Sequence, residues 1–128
     1  MRKMHAISSL SFAAAMTVAL MPSVASADAA RGKTLFTRCM ACHTVEKGGA
    51  NRIGPNLSGV VGRKSGTEKG FKYSAAMSKA KLTWTEANLD KWLTKPAALV
   101  PGTSMAFAGL PKAEDRQSLI DYLKNPGK

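Results

Sequence analysis

Cys39-Met40-Ala41-Cys42-His43 is the stretch on which the fold turns. It reads C-x-x-C-H, the attachment signature of a c-type haem. Two thiols three residues apart share one side of a helical turn and can add to the two vinyl groups of one porphyrin. The adjacent His43 then presents its imidazole to the iron on that face. Other uses of these residues fit less well. A thioredoxin-like dithiol belongs after a strand in a βαβ unit, and no such pattern surrounds Cys39. A structural zinc takes four ligands, and only Cys39, Cys42 and His43 are at hand. A disulfide between Cys39 and Cys42 would close a tiny loop and stabilise little.

Haem is attached by this motif outside the cytoplasm, and the N-terminus reads as an export leader. Arg2 and Lys3 form a positive start, Ala6 to Met21 carries no charge, and Pro22-Ser23-Val24 leads into Ala25-Ser26-Ala27, an A-x-A cleavage pattern. The apolar run is short for a membrane span and is interrupted by Ser8, Ser9, Ser11 and Thr17. An uncleaved anchor is the competing reading. Cleavage after Ala27 divides the chain into a signal peptide, residues 1–27, and one domain, residues 28–128, delivered to the periplasm. The length suits a single domain.

Removing the leader also removes His5, so His43 is the one histidine left. A second axial ligand to the iron must then be something else. Met40, Met77 and Met105 remain. Met40 lies inside the attachment segment and cannot reach the opposite face. Met77 falls in a short helical stretch and reads more simply as core. Met105 follows Pro101-Gly102-Thr103-Ser104 in a long loop that can drape across the far side of the ring. The metal ligands are therefore read as His43 and Met105.

Periodicity predicts an all-α domain of three to four helices joined by long loops wrapped around one covalent haem c. Asp28 is placed to cap a first helix reaching about Arg38. Residues 48–70 are rich in Gly, Pro, Asn and Ser and read as loop. Short helical segments follow at Ser74–Lys79 and from Thr85 to before Pro96. Residues 96–111 read as a second loop, and Leu119, Ile120 and Leu123 mark a last helix over 112–124. Loops this long count against a compact domain unless they enclose something large. A domain of this size also has a thin core and gains from a staple.

These residues resemble class I cytochrome c, close to the mitochondrial type and to bacterial cytochrome c2. The resemblance covers nearly all of the chain after the leader. It runs through Cys39–His43 with Thr44-Val45-Glu46-Lys47-Gly48-Gly49, then Gly54-Pro55-Asn56-Leu57, Gly62-Arg63-Lys64, Gly70-Phe71-Lys72-Tyr73, Thr83-Trp84 and Val100-Pro101-Gly102-Thr103-Ser104-Met105-Ala106-Phe107. It implies that the Pro55 carbonyl accepts the His43 ring N–H. It implies that Tyr73 and Trp84 bond a haem propionate, that Arg63 offsets the propionate charge, and that Thr103 donates nearby. Trp84 also reads as a plain core aromatic. Gly32 and Phe36 should let the first helix cross closely against Leu119 and Tyr122. The chain departs from the pattern at Trp92, where a tyrosine is usual, and at Met77, where an asparagine is common. Ala97, Ala98 and Ser104 stand where mitochondrial relatives carry lysines, which leaves Lys95 as the nearest lysine there.

A His/Met iron has no open position for a substrate, so the expected role is a soluble one-electron carrier and not an enzyme. The partners implied are a cytochrome bc1-type donor and a terminal oxidase or photosynthetic reaction centre. A dedicated electron acceptor of a periplasmic dehydrogenase is the alternative. Of 19 lysines and arginines only Arg2 and Lys3 lie in the leader, so 17 face 8 acidic residues in the domain, a formal charge of +9. Acidic protein faces suit that excess. Nucleic acid does not, since the chain has no arginine-rich tract and few aromatics to stack on bases. The resemblance places Lys33, Arg38, Arg52 and Lys112 around the exposed haem edge as a docking patch. A monomer with only peripheral membrane contact is expected.

Overall fold

The computed structural model describes residues 13–20 and 24–126. Arg2, Lys3 and Pro22-Ser23 of the expected leader lie outside them. Residues 13–20 carry no regular element and are exposed. Among the described residues no helix is long and apolar enough to cross a membrane.

Five helices follow one another: α1 Val24–Phe36, α2 Ala75–Ala80, α3 Glu86–Thr94, α4 Pro96–Leu99 and α5 Ala113–Lys124. No strand is named among the described residues; Lys64 and Thr83 form an isolated antiparallel bridge. Helix α1 starts upstream of Asp28, which therefore caps nothing. Alanines at 25, 27, 29 and 30 favour continued helix, and that propensity overrides the capping signal. The predicted loop after residue 95 likewise holds one helical turn. Pro96 takes the first position of α4, where its missing N–H costs nothing. The other starts follow side-chain capping: Ser74 Oγ accepts from Met77 N at 3.1 Å and Thr85 Oγ1 from Asn88 N at 3.1 Å. Helix α5 lacks a side-chain cap but carries Glu114 and Asp115 in its first turn, which suits the positive end of its dipole.

The frame is the crossing of α1 and α5. A Cβ on Gly32 would stand 2.0 Å from the Ser118 carbonyl oxygen and 2.7 Å from Tyr122 Cβ, so only glycine permits this approach. The Phe36 and Tyr122 rings pack at 5.5 Å beside it. The expected pairing with Tyr122 holds, while the tightest contact falls on Ser118, next to the Leu119 expected. Arg31 pairs with Asp115 across the same junction. Helix α3 is tied to α5 by Arg116–Asp90 at 2.7 Å and Lys124–Glu86 at 2.6 Å.

The long loops are bound by side chains as much as by backbone. Asn56 is buried and has its hydrogen bonds met: Nδ2 donates to Thr44 Oγ1 (2.8 Å) and the Glu46 carbonyl (2.9 Å), and Oδ1 accepts from Ser58 N (3.0 Å). Asn51 spans two loops, accepting from Asn56 N and donating to the Lys69 carbonyl, both at 2.9 Å. Gly62 N to Trp84 O and Trp84 N to Arg63 O, both 2.8 Å, hold Arg63 beside Trp84.

Candidate functional site

The first loop, the last loop and every helix except α4 wall one cavity of about 250 Å³. A water needs only some 10–15 Å³ on this scale, so this is no packing defect. Its walls are mainly apolar: Phe36, Leu57, Val60, Leu89, Leu93 and Leu119 are among them. Cys39, Cys42, His43, Pro55, Arg63, Tyr73, Trp84, Thr103 and Met105 all line it as well. Every site residue inferred from the sequence therefore meets the others there.

The motif is shaped by the end of α1. Beyond Phe36 the chain continues in tight turns, with Cys39 N bonded to Phe36 O (2.8 Å) and His43 N to Cys39 O (2.9 Å). Both cysteines are free. Burial pushes the Cys39 thiol up to about 11, against a smaller lowering by Arg38 and a further rise from Cys42. Such a thiol is protonated at neutral pH, unlike the low-pKa thiolates of redox and nucleophilic cysteines. Among the described residues no cluster of three or more His, Cys, Asp or Glu is placed to hold a metal ion.

His43 Nδ1 stands 2.7 Å from the Pro55 carbonyl. A carbonyl can only accept, so Nδ1 carries the proton and Nε2 keeps its lone pair. Burial lowers the His43 pKa, opposed in part by that hydrogen bond, so the ring is held neutral. Gly54 lies against the ring: a Cβ there would come within 2.3 Å of Cε1. Met105 is partly buried against the core, and its own N–H lies 3.3 Å from Thr103 Oγ1.

At the polar part of the wall, Arg63 donates from Nη1 to Glu68 Oε2 (3.0 Å) and the Ser58 carbonyl (3.3 Å), and from Nη2 to the Asn56 carbonyl (3.2 Å). Its Nε is buried without a partner. An orphaned guanidinium N–H beside Tyr73 and Trp84 fits a carboxylate brought by the occupant of the cavity. Two thiols, a neutral imidazole with a free nitrogen, a thioether and this donor together fit a haem.

Trp92 and Met77, the two departures, both line the cavity, and the Trp92 ring lies 5.3 Å from that of Trp84. Lys33, Arg38, Arg52 and Lys112 are all exposed. Of these only Arg38 lines the cavity; Arg52 donates to the Met40 carbonyl at 3.0 Å. Exposed Ile53 at the cavity wall and Glu68 behind Arg63 were missed from the sequence. An isoleucine next to Gly54-Pro55 was a usable signal, whereas nothing in the local sequence pairs Glu68 with Arg63.

The sequence profile of the family described as Cytochrome c matches residues 29–126. The chain belongs to the cytochrome c family. It is 51% identical over 98 residues to "Cytochrome c" of Chlamydomonas reinhardtii, covering 76% of this chain and 88% of that one. It is 50% identical over 98 residues to "Cytochrome c2 iso-2" of Magnetospirillum molischianum, covering 77% and 97%. Among solved structures, cytochrome cH from Methylobacterium extorquens superimposes with a TM-score of 0.71 at 45% identity, over 76% of this chain and 97% of that one. As a cytochrome c the protein carries covalent haem c with its iron, and it is an electron carrier.

Proposed function

We propose that this cytochrome c is an exported, soluble one-electron carrier whose iron is held on both sides, by His43 and by Met105. The observation that carries this is the His43–Pro55 hydrogen bond at 2.7 Å, which turns Nε2 into the free donor atom of a cavity that Met105 also lines. The bound haem supplies one iron that gains or loses a single electron. The chain does the rest. Cys39 and Cys42 tether the ring by thioethers. The Pro55 carbonyl fixes the His43 tautomer and orientation. Arg63, Tyr73, Trp84 and Thr103 line the same cavity and would hold the propionates. Met105, a soft ligand, favours the reduced state and raises the potential. With His43 and Met105 both committed to the iron, the chain would leave no position for a substrate.

The leader directs the domain to the periplasm, with cleavage after Ala27. There it docks through Lys33, Arg38, Arg52 and Lys112 onto acidic faces, between a bc1-type donor and an oxidase or reaction centre. Such docking is brief and steered by charge.

Met105→Ala tests the ligation. The oxidised wild-type protein should be low-spin with a far-red charge-transfer band. The variant should lose that band, turn high-spin and show a lower potential. An unchanged band in Met105→Ala would remove Met105 from the iron and with it this reading.

A further inference from the structure

Arg63 is not free to act as a bare cation. Its two Nη atoms are committed to Glu68, Ser58 and Asn56, and only Nε is left without a partner. Glu68 does not line the cavity; it reaches the site through Arg63 and Tyr73. Its own place is secured from several directions. Its backbone N–H donates to the Tyr73 hydroxyl at 3.0 Å, which leaves the Tyr73 proton free for another acceptor. Phe71 N bonds its carbonyl at 3.4 Å, and the next residue is tied down by Asn51. The side chains of Arg63 and Glu68 are 19% and 25% exposed, so the pair is largely sheltered. Exposed ion pairs do little, but a sheltered charge close to a redox centre still acts on its potential.

We infer that Glu68 is a positioning residue for the haem carboxylate end: it holds the Arg63 guanidinium so that Nε alone is offered inward, and its charge keeps the reduction potential below what Arg63 by itself would give. This rests on the proposed contact of Arg63 with a propionate. Two effects share one sign. Removing the Glu68 charge takes away a negative group that favours the oxidised, more positive state. It also leaves the guanidinium less neutralised, so Arg63 offsets more of the propionate charge.

The test is redox titration of the holoprotein in wild type, Glu68→Gln, Arg63→Gln and the double variant. Glutamine keeps an acceptor for Arg63, so thermal stability should change little. Glu68→Gln should shift the equilibrium toward the reduced form, by roughly two- to tenfold for one partly screened charge. In the Arg63→Gln background the part of the shift that runs through the guanidinium should disappear and only the direct field of the Glu68 charge should remain, so the same change should have a smaller effect. An unchanged or lowered potential in Glu68→Gln overturns the inference. So does a rise that persists in full without Arg63, which would mean a direct field and no positioning. If Arg63→Gln itself leaves the potential unmoved, the propionate contact is what fails. As a second readout, Glu68→Ala should speed exchange of the Arg63 Nε–H, while Glu68→Gln leaves it slow.

Discussion

A single atom pair sets the chemistry of His43. The Pro55 carbonyl at 2.7 Å decides which ring nitrogen is free, and Gly54 keeps the ring where it is. Alanine at 54 would put a carbon 2.3 Å from Cε1, well inside contact. Gly54→Ala should therefore move the ring off its carbonyl and lower the yield of holoprotein, read as haem absorbance per polypeptide. The same scale governs Trp92 and Met77. Both put apolar or weakly polar surface where the family resemblance implies a phenol or an amide, and Trp92 packs on Trp84 at 5.3 Å. A hydroxyl near the iron changes the local hydrogen bonding and hence the potential. Trp92→Tyr should shift the reduction potential measurably, and a titration showing no shift would make Trp92 a packing residue only. Cys39, Cys42, His43, Pro55, Arg63 and Thr103 were legible because each is, or adjoins, a glycine, proline or cysteine that punctuates the chain, whereas Tyr73 and Trp84 were legible only through the family resemblance. Glu68 was not, because its role depends on which loop folds back onto Arg63, and no local spacing records that.

The elements answer to different forces. Capping and periodicity made α2, α3 and α5 readable to within a residue or two, since Ser74, Thr85 and the 119/120/123 stripe are local signals. The start of α1 was misplaced because alanine propensity carries the helix past Asp28, and α4 was missed because one turn leaves no period to see. What joins the elements is long-range. At the α1–α5 crossing the Gly32 position faces a backbone carbonyl, which cannot swing away as a side chain can. Gly32→Ala should destabilise the holoprotein by about 1–3 kcal/mol, the usual range for overpacking. A shift of the denaturant midpoint with an unchanged slope would show it. Asn51 does for the loops what Gly32 does for the helices. Asn51→Ala strands the Lys69 carbonyl and the Asn56 N–H, both bonded at 2.9 Å. That should cost on the order of 1 kcal/mol and raise amide exchange in residues 64–70 before the helices respond.

For the molecule as a whole, the cavity and the core are nearly one object. Phe36, Val60, Met77, Trp84, Leu89, Trp92, Leu93, Leu119 and Leu123 are core residues that also face the cavity. The long loops that looked implausible in the sequence are explained by what they enclose. Charge is the other whole-molecule property. A chain with a formal net charge of +11 attracts anionic partners over a distance set by the Debye length, about 30 Å at 0.01 M salt and 3 Å at 1 M. Reaction rates with an anionic redox reagent should fall steeply across that range, and those with a cationic reagent should rise. Net charge alone would make all basic positions equivalent. Arg38 lines the cavity wall, whereas Lys91 is exposed on α3 and does not. Arg38→Glu and Lys91→Glu change the total charge equally. Stopped-flow reduction by an acidic protein donor at low salt should slow markedly more for Arg38→Glu, because the electron enters where the approach is steered. Equal slowing would mean that the lysines and arginines act only through their sum, and the docking patch would dissolve into a uniformly basic surface.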